Sequence, residues 1–133
     1  MEHNKFVSAI VGICGGISSY LWGGWDTALK TLLLFMLLDY ILGTIRGAKD
    51  NGLSSEVAFK GILKKITVLI IITVGVNLDT ATDAEGLIRG LVLFFYIAIE
   101  GISILENATE IGVPIPNRLK DMLAQLKDDK NER

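Results

Sequence analysis

The chain has 133 residues, half of them hydrophobic, a formal net charge of −2 and a mean hydropathy of +0.47. That length allows one domain, and positive hydropathy with 14 Gly and only two Pro points to a small multi-spanning membrane protein, since Gly is commoner in membrane helices than in soluble ones. A single cysteine, Cys14, excludes an internal disulfide and a thiolate metal cluster, and a single histidine, His3, excludes a His-based triad or a multi-histidine metal site.

Residues 6–22 (FVSAIVGICGGISSYLW) form the first apolar segment. Lys5 ahead of it gives a signal-peptide look, but no small-x-small cleavage site follows, so the segment is read as retained. It is short and rich in Gly and Ser, and either spans weakly or lies in the interface. Cys14 inside it is expected to be a small buried hydrophobe without a role. Tyr20, Trp22 and Trp25 cluster at its end like an aromatic belt at a headgroup boundary, and Gly23-Gly24 makes the turn.

Residues 28–45 (ALKTLLLFMLLDYILGTI) form the second segment. Lys30 near its start can snorkel. Asp39 cannot easily, because it lies about six residues, or roughly 9 Å of helix, inside the far boundary. The polar connection 46–65 carries Arg46, Lys49, Lys60, Lys64 and Lys65 against Asp50 and Glu56. Asn51-Gly52 is a turn signal, and Ser54 or Ser55 is placed to cap a helix starting near Glu56. The third segment, near 60–76, follows, with the stems of Lys64 and Lys65 snorkelling back to the surface.

The loop 77–85 (NLDTATDAE) has three acids and no Lys or Arg. The fourth segment, 87–106, contains the unbroken apolar run 91–99 and carries Glu100 inside it. With its flanks it reaches the roughly 20 residues of helix needed to cross a hydrocarbon core of about 30 Å. Pro114 and Pro116 then break the helix. Residues 117–133 resume as a helix with Leu119, Met122, Leu123 and Leu126 on one stripe, fraying into a charged tail.

Short loops rich in Lys and Arg stay cytoplasmic. The 46–65 connection and the 118–133 tail are both rich, whereas the 77–85 loop has none. The expectation is an all-α integral membrane protein of about four transmembrane helices, both ends inside. Residues 1–112 form the bundle, and 113–133 form a cytoplasmic break, helix and tail.

Burying an ionised acid at membrane depth costs about 2.5–3.5 kcal/mol on insertion scales, so Asp39 and Glu100 need to be neutral, paired or wet. Lys64, Lys65 and Arg46 are the nearest cations by depth. Two readings stand open: a polar seam facing neighbouring subunits or a water-filled lumen, and an ion pair inside one monomer. The glycine pairs Gly12/Gly16, Gly43/Gly47 and Gly86/Gly90 put small residues on one helix face, where backbones approach closely within or between chains. No nucleotide-binding loop or nucleophile elbow is present, and the sequence argues against enzymatic work, a cofactor, a metal or a nucleic-acid partner.

Several stretches together resemble a known family. They are Leu38-Asp39-Tyr40 with Gly43, the 52–55 turn, Gly61-Ile62-x-Lys64-Lys65, and above all Tyr96-x-x-x-Glu100-x-Ile102-Ser103-Ile104-x-Glu106-Asn107 followed by Gly112-x-Pro114-x-Pro116. The resemblance is to the small holins of phages of Gram-positive bacteria, a family that includes holin-like proteins linked to clostridial toxin release. It runs from about residue 28 to 126 and departs slightly at 57–59, where Ala58 is the only small residue.

The resemblance implies a homo-oligomer in the bacterial cytoplasmic membrane that opens lesions and so releases or activates an endolysin, or a toxin, for host-cell lysis. It implies that Asp39 and Glu100, with Lys64 and Lys65, line the polar seam. Glu106, Asn107, Pro114 and Pro116 would shape the cytoplasmic exit of the last helix. An antiholin or membrane scaffold acting on another holin, and a small ion channel or carrier subunit, are the competing readings.

Overall fold

The computed structural model describes residues 1–50, 52 and 54–131, without the side chains of 123 and 126–131. Five helices follow one another: α1 (Glu2–Trp22), α2 (Thr27–Asp50), α3 (Ser55–Thr82), α4 (Leu87–Ile111) and α5 (Asn117–Asn131). There is no strand among the described residues. Asn51 of the expected turn, and Leu123 and Leu126 of the expected stripe as side chains, lie outside that description.

The boundaries follow from local chemistry. Gly23 and Gly24 take φ of +80° and +116°, which a residue with a side chain rarely adopts, and so reverse the chain between α1 and α2. Ser54, extended at φ −81° and ψ 142°, accepts a hydrogen bond from the Val57 amide at 3.2 Å and caps α3. At the end of α4, Gly112 has φ +105°. Its amide and that of Val113 donate back to Thr109 and Ala108, each at 3.0 Å, in a Schellman closure. Pro114 and Pro116 keep the next residues out of a helix until α5 begins, where the Pro116 carbonyl accepts from the Leu119 amide.

α1, α2 and α4 are long and apolar enough to cross a membrane by length and composition. α3 is longer, at 28 residues, yet is not among them. Its uncharged run between Lys65 and Asp79 covers only 66–78, about 20 Å of helix. The first segment, which the sequence left between spanning and lying flat, is thus a complete 21-residue helix.

α2 and α4 pack along each other, and α3 closes against both at one end only. There Leu29, Leu32 and Met36 from α2 meet Val68 and Ile72 from α3 and Leu93 from α4 in the buried core. Gly75 allows that closeness, since a Cβ built on it would meet the Val92 side chain at 3.3 Å. Toward its start α3 parts from α2 and α4 and leaves a cleft of about 610 Å³. α1 buries no residue. Cys14 is therefore exposed and not the buried hydrophobe expected of it, because α1 rests on the bundle without burying any side chain in it.

Candidate functional site: an ionic cluster at mid-helix depth

Asp39 and Glu100 lie near the midpoints of α2 and α4, and the parallel course of those helices brings them to one level. The Lys65 ammonium sits between them, donating to Asp39 Oδ2 at 2.9 Å and to Glu100 Oε2 at 2.8 Å. The second Asp39 oxygen accepts from Asn107 Nδ2 at 2.9 Å. Glu100 and Asn107 are buried, and the three charged side chains are only 9–18% exposed. Lys65 thus does not snorkel outward; its stem carries the ammonium inward to two carboxylates. Such a cluster meets the requirement that charge at membrane depth be paired and hydrogen-bonded. Two carboxylates against one ammonium still leave a formal charge of −1 when all three are ionised.

The cluster forms the inner wall of the cleft. Tyr40, Gly43 and Thr44 of α2, Ala58 and Gly61 of α3, and Ser103 of α4 line its sides. Small side chains on all three helices keep this space open. Lys64 and Glu106 also line it, and Arg46 and Lys60 stand toward its mouth. Lys64 is exposed and makes no ion pair among the described residues, so of the two neighbouring lysines only Lys65 joins the cluster.

Two further polar tiers close the ends of the bundle. Arg89, near the start of α4, donates Nε to the Trp22 carbonyl, one Nη to the Gly24 carbonyl at 3.1 Å, and both Nη to Asp26, at 2.7 and 3.2 Å. This fixes the α1–α2 turn on α4. The guanidinium beside Asp26 holds its carboxyl below the usual carboxylate range. Asp79, buried in α3, accepts from the Ile88 and Arg89 amides at 3.0 and 2.6 Å. It supplies α4 with the cap that its own Gly86 cannot provide, an anion at a helix N-terminus. At the opposite end Arg46 pairs with Glu110 at 2.9 Å and Lys49 donates to the Ile111 carbonyl at 2.6 Å. About 16 Å of α4 separates Glu100 from either tier.

The glycines divide by surroundings. A Cβ on Gly12, Gly16 or Gly90 would meet nothing within 4 Å, whereas one on Gly43 would approach Asn107 Nδ2 at 3.7 Å. Gly47, one turn further along α2, is half-buried. Gly86 stands outside α4 as its N-cap with φ +85°, so a backbone reason accounts for it. Glu106 and Asn107 both face the cleft, and Pro114 and Pro116 lie in the break before α5.

Arg89, Asp26 and Asp79 are positions that no sequence motif marks. A lone arginine at the start of an apolar helix was the available signal, since such a charge must find a partner.

Long apolar helices arranged around a paired ionic cluster define a small helical membrane protein. The chain belongs to the bacteriophage holin family, whose model matches residues 16–128. It is 33% identical over 105 residues to a probable holin of Bacillus phage phi105, covering 79% of this chain and 78% of that one. It is also 44% identical over 117 residues to a 14.9 kDa protein of Clostridium perfringens encoded in a nagH 3' region, covering 87% and 89%. YtkC of Bacillus subtilis is 27% identical over 128 residues, covering 96% of each chain. No solved structure matches. The family is not an enzyme family, and nothing here points to catalysis.

Proposed function

We propose that the protein acts as a holin in the cytoplasmic membrane of a bacterial host. It accumulates as a four-span bundle with both ends inside, associates with copies of itself, and opens lesions that depolarise the cell and release an endolysin. Membership of the holin family carries this reading. One point of geometry supports it: two carboxylates share one ammonium at mid-helix depth, on the wall of a cleft that opens to the side of the bundle. Insertion as a monomer is tolerable because Lys65 offsets one of the two carboxylates and hydrogen-bonds both, and assembly gains by turning the cleft away from lipid.

On this reading α3 crosses the membrane as well, its Lys60, Lys64 and Lys65 end inward, and residues 113–133 lie in the cytoplasm. Asp39, Glu100, Lys64 and Lys65 line the seam. Gly12 and Gly16, open within the chain, serve contacts between chains.

Inducible expression in a bacterium, with membrane potential and viability followed with and without a leaderless endolysin, tests the proposal. Sudden depolarisation, with lysis only when the endolysin is present, is expected. Healthy, polarised cells under confirmed membrane expression would overturn it and favour an antiholin or carrier.

A further inference from the structure

A second cavity adjoins the cleft along α3, sharing Lys60, Lys64, Val68 and Tyr96 with it but not the Asp39, Lys65 and Glu100 cluster. This groove of about 510 Å³ runs along Lys60, Leu63, Lys64, Thr67 and Ile71, with Tyr96 of α4 as its far wall. It is basic at one end and apolar along the rest. From Lys60 to Ile71 it covers about 16 Å of helix, close to half of a hydrocarbon core of about 30 Å. One leaflet's acyl chain has that length.

We propose that this groove binds an anionic phospholipid of the bilayer, its phosphodiester held by Lys60 and Lys64 and one acyl chain lying along Leu63, Thr67 and Ile71. The inference rests on the reading that α3 crosses the membrane with its basic end in the inner leaflet, and it concerns the unassembled chain, in which Lys64 still faces lipid. Charge complementarity selects the occupant. Lys60 and Lys64 stand one turn apart on one helix face, where two ammonium groups reach a single phosphate. Lys64 is exposed and without an ion pair among the described residues. Among the described residues Lys60 pairs with Glu56 of its own helix, at 2.9 Å, with both side chains more than 60% exposed. Such a pair holds weakly, so a phosphate displaces Glu56 at little cost. A basic pocket beside membrane helices on the cytoplasmic side is the usual setting for acidic headgroups.

The test uses the purified full chain in vesicles of equimolar phosphatidylglycerol and phosphatidylcholine. Native mass spectrometry after mild extraction counts the lipids retained. Phosphatidylglycerol is expected to exceed phosphatidylcholine by about fivefold for each lysine engaged, and the ratio should fall to near one in Lys60→Gln/Lys64→Gln. Thr67→Trp, which fills the groove and keeps both lysines, should also lower the phosphatidylglycerol count. Equal retention of the two lipids, or a preference that survives the double substitution, would overturn the site. So would a disulfide-linked dimer through Thr67→Cys in a Cys14→Ser chain, which would place a second copy there. Failure of the protein to float with vesicles would remove the membrane reading itself, and the site with it.

Discussion

Lys65 and Glu100 meet at 2.8 Å across the α3–α4 interface, and the same ammonium reaches Asp39 of α2 at 2.9 Å. One cation thus ties three helices at the level where α3 begins to part from the other two. Lys65→Met leaves the Asp39 and Glu100 carboxylates, 15% and 9% exposed, without the cation they share. It is expected to destabilise the fold by about 3–5 kcal/mol, as breaking one partner of a buried ion pair does. The triple variant Lys65→Met/Asp39→Asn/Glu100→Gln removes the charges together and should recover most of that loss. Denaturation in detergent measures both, and a triple variant as unstable as the single one would show that Lys65 acts by packing rather than charge.

Arg89 serves four acceptors at once: the Trp22 and Gly24 carbonyls and both Asp26 oxygens. A planar guanidinium can address them together and a lysine ammonium cannot. Arg89→Lys is expected to cost about 1 kcal/mol, the net worth of hydrogen bonds to the half-buried Trp22 and Gly24 carbonyls that an ammonium cannot keep together. The change should also alter Trp22 and Trp25 fluorescence, because the turn between them hangs on this side chain. A thermal midpoint and an emission spectrum identical to those of the unsubstituted chain would contradict the account.

The helices were legible because hydropathy and caps agree along the chain: Gly23-Gly24, Ser54 and the Pro114/Pro116 break each fall where a boundary occurs. Asp39 and Glu100 were legible as a pair because charge within an apolar run is conspicuous. What joins them was not. Lys64 and Lys65 are adjacent in sequence, and the 100° between successive helical residues decides which one points inward, a choice that depends on where α3 packs. Asp79 looked like one of three loop acids, yet α3 extends to Thr82 and turns it onto the start of α4. Gly75 lacked a partner glycine at four-residue spacing, so its close approach to Val92 left no pattern to find.

Asp26 gives the Arg89 tier a pH dependence whose sign is fixed. Its carboxyl is held below its ordinary value of 3.8 by the guanidinium that donates to it. A group whose folded value is depressed contributes stability fully above the unfolded value, and loses that contribution as pH falls through the folded one. The gap in thermal midpoint between the unsubstituted chain and Asp26→Asn should therefore be constant from pH 7 down to about pH 5 and shrink below the ordinary value of 3.8. Midpoints in detergent across that range check it. A gap that grows on acidification would require Asp26 to be protonated in its pair.

Gly75 and Gly16 separate packing within a chain from packing between chains. A Cβ on Gly75 meets Val92 at 3.3 Å, so Gly75→Leu forces α3 off α4 and should cost about 1–3 kcal/mol as an overpacked contact. Gly16 faces open space along a helix that buries nothing. Gly16→Leu therefore leaves the monomer intact, and slightly firmer, because Gly is a poor helix former by about 0.5–1 kcal/mol. If the α1 face is where chains meet in the lesion, the same substitution keeps backbones apart and should abolish the large detergent-stable oligomers and delay depolarisation. Oligomers and timing unchanged in Gly16→Leu, with the fold retained, would move the assembly surface off α1 and onto the open side of the α3 cleft.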